Sequence, residues 1–127
     1  MKVLGASGGL ILLSIALGSL GQVLLKVGAS RLVLPSPAGW VRLLPEAAGQ
    51  MLQNPPIITG MLLFVISSFL WILGVSQVEL SVAYPMVSLG YGIVLLVSWL
   101  FLGEAVSWVR VVGVAVIIAG VVLVARS

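Results

Sequence analysis

Four long apolar stretches determine what this chain can fold into. They run over about residues 3–29, 57–78, 82–102 and 106–125. A helix that crosses the hydrocarbon of a bilayer needs about 20 mostly apolar residues, so each stretch is long enough to span a membrane. Charged residues make up only 7% of the chain, against about a quarter in soluble domains, so a water-soluble fold could not cover this much apolar surface. The sequence therefore predicts an all-α integral membrane four-helix bundle, with residues 1–127 forming a single transmembrane domain.

The links between the stretches predict how the spans are arranged. Residues 77–81 join the second and third spans, and residues 103–105 join the third and fourth. Links this short force neighbouring helices to run antiparallel. The first link is longer, and within it residues 39–53 have an apolar face and a polar face at helical spacing. The apolar face carries Trp40, Leu43, Leu44, Ala47, Met51 and Leu52, and the polar face carries Arg42, Glu46, Gln50 and Gln53. This pattern predicts an amphipathic helix in the membrane interface, or else a helix that caps the bundle end.

The residue types present exclude several classes of function. The chain has no His and no Cys, which excludes His-based catalysis, thiol chemistry and zinc sites built from these residues. No carboxylate lies in the middle of a predicted span, and the sequence contains no glycine-rich phosphate loop. The six Lys and Arg residues are scattered along the chain, so they form no patch for nucleic acid. The sequence gives no reason to predict an enzyme, a cofactor or a metal.

The first apolar stretch is expected to remain part of the protein. It is too long for the core of a signal peptide and leads into further spans. Cations lie at both ends of the predicted bundle, so the positive-inside rule gives only a weak preference for one orientation.

Small and polar residues form a stripe along the first span. Its members are Ser14, Gly18, Gln22 and Lys26, with Gly21 beside them. Residues four apart are neighbours on a helix surface. The glycines favour close packing against another helix. Gln22 and Lys26 favour a ligand-binding role, with packing for Gln22 and snorkelling to the interface for Lys26 as the alternative.

A second polar stripe lies on the third span. Tyr84, Ser88 and Tyr91 share one face. Pro85 interrupts the helical hydrogen bonds near the start of the span, and carbonyl groups freed beside a cavity can bind a ligand. Tyr84 could instead belong to an aromatic belt at the membrane edge. Tyr91 is too deep for a belt, and a buried tyrosine hydroxyl at that depth needs a partner.

The second and fourth spans predict helix packing. Ser67 and Trp71 share a face of the second span, for which core packing is the favoured interpretation. The fourth span is apolar apart from Arg110 in its first turn, and Gly113 and Gly120 give it a smooth face. Because small residues let helices approach closely, this face is predicted to pack in a dimer.

Several motifs resemble those of a known group of transporters. They are Ser19-Leu20-Gly21-Gln22 followed by Lys26, the run LSVAYPMVSL at residues 80–89, and Glu104-Ala105-Val106-Ser107 followed by Arg110 and Gly113-Val114-Ala115. With these motifs the chain resembles four-span members of the drug/metabolite transporter superfamily. It is more similar to the ArnE/ArnF group than to the small multidrug resistance proteins. The resemblance covers spans one, three and four, and it implies the four-helix fold of small multidrug resistance and EamA-like proteins.

The chain departs from the small multidrug resistance proteins in its charged residues. Those proteins carry a membrane-embedded glutamate in the first span, which alternates between a proton and a cationic drug. The corresponding position here, counted from Lys26, is Gly18, and the tryptophan of their third span is replaced around Val87. Without a carboxylate inside the membrane, exchange of a proton for a cation loses its carrier. Lys26 and the tyrosines suit an anion instead.

The resemblance implies a function, a set of site residues and a partner. ArnE/ArnF proteins move aminoarabinose linked to undecaprenyl phosphate, which implies a flippase of a polyprenyl-phosphate-linked sugar, or a related phospholipid, in the cytoplasmic (inner) membrane. The expected substrate-binding residues are Lys26, Gln22, Ser14, Tyr84, Ser88 and Tyr91, with Lys26 pairing with the phosphate. A lone bundle would expose polar stripes to lipid, so we expect a homodimer or a heterodimer with a related four-span protein. The alternatives are an exporter of small cationic or polar compounds and a non-transporting scaffold subunit for a glycosyltransferase.

Overall fold

The protein is an all-helical membrane bundle. The structure, a computed structural model, describes residues 6–33 and 40–127. The helices are α1 (Ala6–Ala29), α2 (Trp40–Leu52), α3 (Pro55–Val75), α4 (Leu80–Met86), α5 (Leu89–Leu100) and α6 (Trp108–Arg126). The described ranges contain no strand, and α1, α3, α4 with α5, and α6 are each long and apolar enough to cross a membrane. The predicted fold class is confirmed. The expected starts of the first span at residue 3 and of the amphipathic helix at residue 39 lie outside the described residues.

α1 and α3 form the most extensive helix pair and run antiparallel. Gly21 and Gly60 face each other across it: a Cβ added to Gly21 would lie 3.0 Å from the carbonyl oxygen of Gly60, and one added to Gly60 would lie 2.8 Å from that of Gly21. Nearer the other end of the pair, Gly74 lies directly against Ile11. Such close contact between backbones requires glycine, so Gly21 has the packing role that its spacing predicts.

The start of α3 lies earlier than the apolar pattern predicts. The Asn54 side chain caps the helix by accepting a hydrogen bond from the N–H of Ile57 at 3.3 Å. Pro55 and Pro56 occupy the first turn, where backbone N–H groups have no helical partner and proline is tolerated. The Asn54 amide also donates to the carbonyl oxygen of Gly28 at 2.8 Å. The two prolines assigned to the link therefore belong to the span, and Asn54 ties it to the end of α1.

The third span is interrupted between α4 and α5. Pro85 has no N–H to donate, and a proline inside a helix breaks the regular bonding pattern. The chain passes the break through shorter-range bonds, from the N–H of Val87 to the carbonyl of Tyr84 at 3.1 Å and from the N–H of Ser88 to the carbonyl of Pro85 at 3.0 Å. The sequence therefore locates this interruption correctly.

The buried core lies at the end of the bundle where α1 begins and α6 ends. Its members are Ile11, Ile15, Ala83, Met86 and Val121. Val121 is the one buried residue of α6, so most of the apolar surface of that helix faces outward. Lipid tails are as apolar as leucine side chains, so a bilayer can cover this surface. Towards the opposite end of the bundle a cavity lies between the helices.

α2 is attached to the rest of the bundle through Gln50. Its side-chain amide donates to the carbonyl oxygen of Val33, and its side-chain oxygen accepts from the N–H of Val33 at 2.8 Å. Gln50 was assigned to the polar face of the amphipathic helix, but its amide instead holds the segment that follows α1. α2 also packs against α3, which fixes it near the end of the spans.

Spin labels on α2 should report two environments. Leu44, Met51, Arg42 and Glu46 are all exposed, and the chain has no native Cys, so single labels can be placed at each position. Labels at Leu44 and Met51 should be relaxed mainly by oxygen dissolved in lipid, and those at Arg42 and Glu46 mainly by a water-soluble nickel reagent, because an interfacial helix buries only its apolar face. Equal access of the nickel reagent to all four would show that α2 caps the bundle in water.

Candidate functional site

A cavity of about 660 Å³ lies between α1, α3, α5 and α6. Its volume falls within the range of about 300–1,000 Å³ that is usual for small-molecule sites. Apolar side chains supply most of the wall. The polar residues that line it are Ser14, Ser19, Gln22, Ser67, Ser68, Tyr91, Ser98, Glu104 and Arg110. The cavity thus combines an apolar wall with hydroxyl groups, one amide and one charge of each sign.

The cavity extends from the middle of α1 and α3 towards the end of the bundle at which α1 ends. The lining extends over residues 14–22 of α1, 87–98 of the third span and 106–114 at the start of α6. At a rise of 1.5 Å per residue, the third-span segment alone is about 16 Å long. Successive spans alternate in direction, so α1 and α5 end where α6 begins. The cavity therefore runs from near the middle of the bundle to the turn between α5 and α6, and this end of the cavity is called its mouth below.

The cavity is open on the side between α3 and α6. α1 packs against both α3 and α5, and α6 packs against α4 and α5. Within the described residues, no comparable packing joins α3 to α6. Ser68 on α3 and Arg110 on α6 both line the cavity and are both exposed. A side opening of this kind would give a lipid access from the bilayer.

The turn between α5 and α6 places two charged residues at the mouth. Gly103 has a φ of +68°, in the left-handed region that favours glycine, and the N–H of Glu104 then donates back to a carbonyl oxygen of α5 at 3.1 Å. Ser107 caps α6 by accepting from the N–H of Arg110 at 3.2 Å. The Arg110 guanidinium donates to the carbonyl oxygen of Ala105 at 3.1 Å. The turn therefore positions both Glu104 and Arg110.

Two buried serines join α1 to α3 beside the cavity. The Ser14 hydroxyl donates to the carbonyl oxygen of Ser67 at 2.7 Å, and the Ser67 hydroxyl donates to the carbonyl oxygen of Ser14 at 2.7 Å. The Ser19 hydroxyl likewise donates to the carbonyl oxygen of Ile15 at 2.7 Å. Each of these hydroxyl protons is used within the chain, so the three serines offer a ligand only acceptor oxygens.

Replacing Ser14 or Ser67 by alanine should weaken the contact between α1 and α3. Each single change should lower the free energy of unfolding by about 1 kcal/mol, since interhelical hydrogen bonds in membrane proteins average about 0.6 and reach about 1.7 kcal/mol. The Ser14→Ala/Ser67→Ala double variant should lose less than the sum, because the two hydroxyl oxygens also contact each other at 3.1 Å and either change removes this shared contact. Reversible unfolding in mixed micelles measures all three. The matched control is Ser68→Ala, which lies on the same helix as Ser67. If the losses in unfolding free energy of the two single variants simply add in the double variant, the pairing of Ser14 with Ser67 is contradicted.

The structure brings three of the six expected ligand residues to the cavity. Ser14, Gln22 and Tyr91 line it, whereas Lys26, Tyr84 and Ser88 do not. Lys26 lies four residues beyond Gln22, about 6 Å further along the helix axis, and is exposed. Tyr84 is on α4, on the far side of the break in the third span, and Ser88 is at the break. Tyr91 was expected to be buried, but its side chain is 54% exposed in the single chain.

Glu104 and Arg110 line the cavity but are not among the expected ligand residues. Both lie at the edge of a predicted span, where a solvated role is the ordinary interpretation. One signal was available for Arg110: a cation in the first turn of a helix opposes the helix dipole, so helix stability does not explain it. Trp71 and Ser98 also line the cavity, and neither the spacing nor the residue type of Ser98 indicates this.

The face of α6 that was expected to pack in a dimer is open. A Cβ added to Gly113 or Gly120 would meet no other residue within 4 Å. Both glycines are exposed. Packing of a second protein against this face remains a prediction.

Comparison with known proteins identifies the family. Residues 8–126 match the EamA-like transporter family. The chain belongs to this family. Three relatives are named "Probable 4-amino-4-deoxy-L-arabinose-phosphoundecaprenol flippase subunit": ArnF of Erwinia tasmaniensis is 31% identical over 98% of this chain and 94% of its own length. ArnE of Pseudomonas aeruginosa is 30% identical over 95% of this chain and 98% of its own length. ArnE of Aeromonas hydrophila is 34% identical over 79% of this chain and 87% of its own length. No solved structure matches the chain.

Membership of the EamA-like family establishes the general class of the protein. The resemblance identified from the sequence motifs is confirmed, and the chain is a multi-pass membrane protein of a transporter family. The relatives are named as flippase subunits and not as enzymes, which agrees with the prediction that this chain is not an enzyme.

Proposed function

We propose that this EamA-like protein is a flippase subunit that moves a polyprenyl-phosphate-linked sugar, or a related phospholipid, across the cytoplasmic membrane. The observation that carries the proposal is the shape of the cavity. It has polar groups for a headgroup, reaches the turn between α5 and α6, and is open on the side between α3 and α6. The relatives are named for a substrate that has these two parts, a sugar headgroup and a polyprenyl tail.

In the proposed mechanism the headgroup enters the cavity and the tail stays in lipid. Gln22 and Tyr91 line the cavity, and their amide and hydroxyl groups would bind the sugar. Ser14 would contribute only an acceptor oxygen because its proton is donated to Ser67. Keeping the tail outside avoids moving the whole lipid through the protein. Lys26, Tyr84 and Ser88 lie outside the lining, so they would meet the lipid only before or after it occupies the cavity.

The proposal includes a second protein that completes the site. Gln22, Ser68 and Arg110 line the cavity and are exposed on a chain whose surroundings are largely hydrocarbon. Polar groups that face lipid are costly, so we propose that a second copy or a related four-span subunit covers part of the opening. The relatives are themselves named as subunits. The open glycine face of α6 would be one contact surface.

Mass spectrometry of lipids that co-purify with the protein in mild detergent tests the proposed substrate. We expect polyprenyl phosphate sugars to be enriched over their abundance in the membrane extract. A Leu95→Trp variant, in which a larger side chain narrows the cavity, should lose the enrichment. An unenriched lipid profile, together with saturable binding of small organic cations near Glu104, would favour an exporter of cationic compounds instead.

A further inference from the structure

Arg110 is the only cation among the described residues that line the cavity. Its guanidinium uses one N–H to donate to the carbonyl oxygen of Ala105 at 3.1 Å. A guanidinium has five N–H donors in a planar fork that matches the geometry of a phosphate group. Arg110 therefore keeps donors for an anion while the bond to Ala105 restricts its position.

The other polar residues of the cavity carry no positive charge, and Gln22, Ser68 and Tyr91 supply a phosphate only with neutral donors. The hydroxyl protons of Ser14, Ser19 and Ser67 are donated to carbonyl groups of the chain. The remaining wall is mainly apolar, and an apolar wall strengthens the attraction between opposite charges. An anion in the cavity would therefore be held mainly by Arg110. Lys26, the expected phosphate ligand, lies outside the lining.

Glu104 lines the same cavity and lies in the segment that leads into α6, the helix whose first turn carries Arg110. With one carboxylate and one guanidinium, the described lining has a formal charge of zero. A phosphodiester carries one negative charge, whereas a phosphomonoester at pH 7 carries about 1.5 to 2 negative charges. The carboxylate repels each additional negative charge of a headgroup that reaches Arg110. The pair thus favours a singly charged phosphate.

We propose that Arg110 and Glu104 form a charge filter at the mouth of the cavity: Arg110 binds the phosphate of the lipid, and Glu104 disfavours headgroups that carry a second negative charge. This inference rests on the proposed lipid-phosphate function and specifies how the cavity selects among such lipids. It assigns the preferred ligand as a lipid phosphodiester over a lipid phosphomonoester of the same chain length.

Binding titrations with three probes of equal chain length test the filter. The probes are a polyprenyl phosphoglucose, a polyprenyl phosphate and the neutral polyprenol, added to purified protein in detergent. Trp71 lines the cavity, so tryptophan fluorescence is a suitable signal. The variants are Arg110→Gln, Arg110→Lys and Glu104→Gln, with Lys26→Gln as a matched control that removes a cation outside the cavity. Size-exclusion chromatography identifies variants that fail to fold.

The filter makes a separate prediction for each variant. Arg110→Gln should weaken binding of both phosphates by about tenfold or more, because bonds from charged donors are the strong ones. Binding of polyprenol should not change. Arg110→Lys should recover part of the affinity, since charge survives without the fork. Glu104→Gln should improve polyprenyl phosphate binding by about threefold relative to the phosphoglucose. Lys26→Gln should bind all three probes with the affinity of the wild type.

Two different failures can be distinguished. If the wild type binds polyprenol as tightly as both phosphates, the proposed lipid-phosphate function fails. If the wild type prefers the phosphates but Arg110→Gln binds them equally well, or Lys26→Gln causes the tenfold loss, only the role of Arg110 fails and the phosphate belongs elsewhere. If Glu104→Gln leaves the ratio of the affinities for polyprenyl phosphate and polyprenyl phosphoglucose unchanged, Glu104 does not select between them.

Discussion

Replacing Gly21 by valine should lower the free energy of unfolding of the bundle by about 1–3 kcal/mol, the usual cost of overpacking. Even the Cβ would lie 3.0 Å from the carbonyl oxygen of Gly60 and 3.3 Å from the Phe64 ring. The additional methyl groups must push α1 away from α3. Since this is the most extensive helix pair, separating the two helices weakens many of the contacts that hold the bundle together. Reversible unfolding in mixed micelles measures it.

Gly9→Val is the matched control for this prediction. Gly9 lies in the same helix, and a Cβ there would meet no other residue within 4 Å. Valine has a better helix propensity than glycine, so this variant should be as stable as the wild type or slightly more stable. Equal losses for Gly21→Val and Gly9→Val would show that the effect comes from α1 itself. The close contact with α3 would then not be what stabilises the bundle.

Apolar length was enough to predict the four spans, but local capping decided where they begin. Hydrocarbon thickness fixes the length of a spanning helix, which is why the spans could be located from the sequence alone. The apolar pattern starts the second span at about residue 57, whereas α3 begins at Pro55. Asn54 caps the helix, and prolines are tolerated in its first turn. The ends of the helices thus depend on individual capping residues, which hydropathy averaged over a stretch of sequence does not detect.

The candidate site was predicted only in part because helical spacing does not define one straight face. Residues four apart on an α-helix are displaced by about 40°. From Ser14 to Lys26 the displacement adds up to about 120°, so the stripe turns away from the cavity that Gln22 lines. On the third span, the break after Pro85 separates Tyr84 from Tyr91, and a face drawn for a continuous helix does not apply to both.

The residues at the mouth of the cavity depend on the conformation of the turn between α5 and α6. Glu104 and Arg110 reach the lining because Gly103 adopts a left-handed backbone and Ser107 caps α6. Their positions in the sequence mark them only as residues at the end of a span. Which side of the bundle they face follows from the turn and from the direction in which α6 leaves it, and neither could be derived from spacing.

Replacing Leu95 by tryptophan should reduce the amount of co-purified lipid phosphate by about tenfold or more, which corresponds to about 1.4 kcal/mol of binding free energy. Leu95 lies on α5 and lines the cavity. Its side chain is half-buried there, and an indole at this position would project into the space proposed for the headgroup. The fold should survive, because the cavity accepts the added volume without displacing a packed side chain.

The neighbouring residue provides the control for the blocked cavity. Leu96 is on the same helix and is 53% exposed, but it does not line the cavity. Leu96→Trp adds the same side chain to the outer surface, where lipid can accommodate it, and should retain the wild-type amount of lipid. Quantitative mass spectrometry of both variants, at equal thermal stability, gives the comparison. If Leu95→Trp retains as much lipid phosphate as Leu96→Trp, the headgroup does not bind in this cavity, and a lipid site on the outer surface near Lys26 becomes the better explanation.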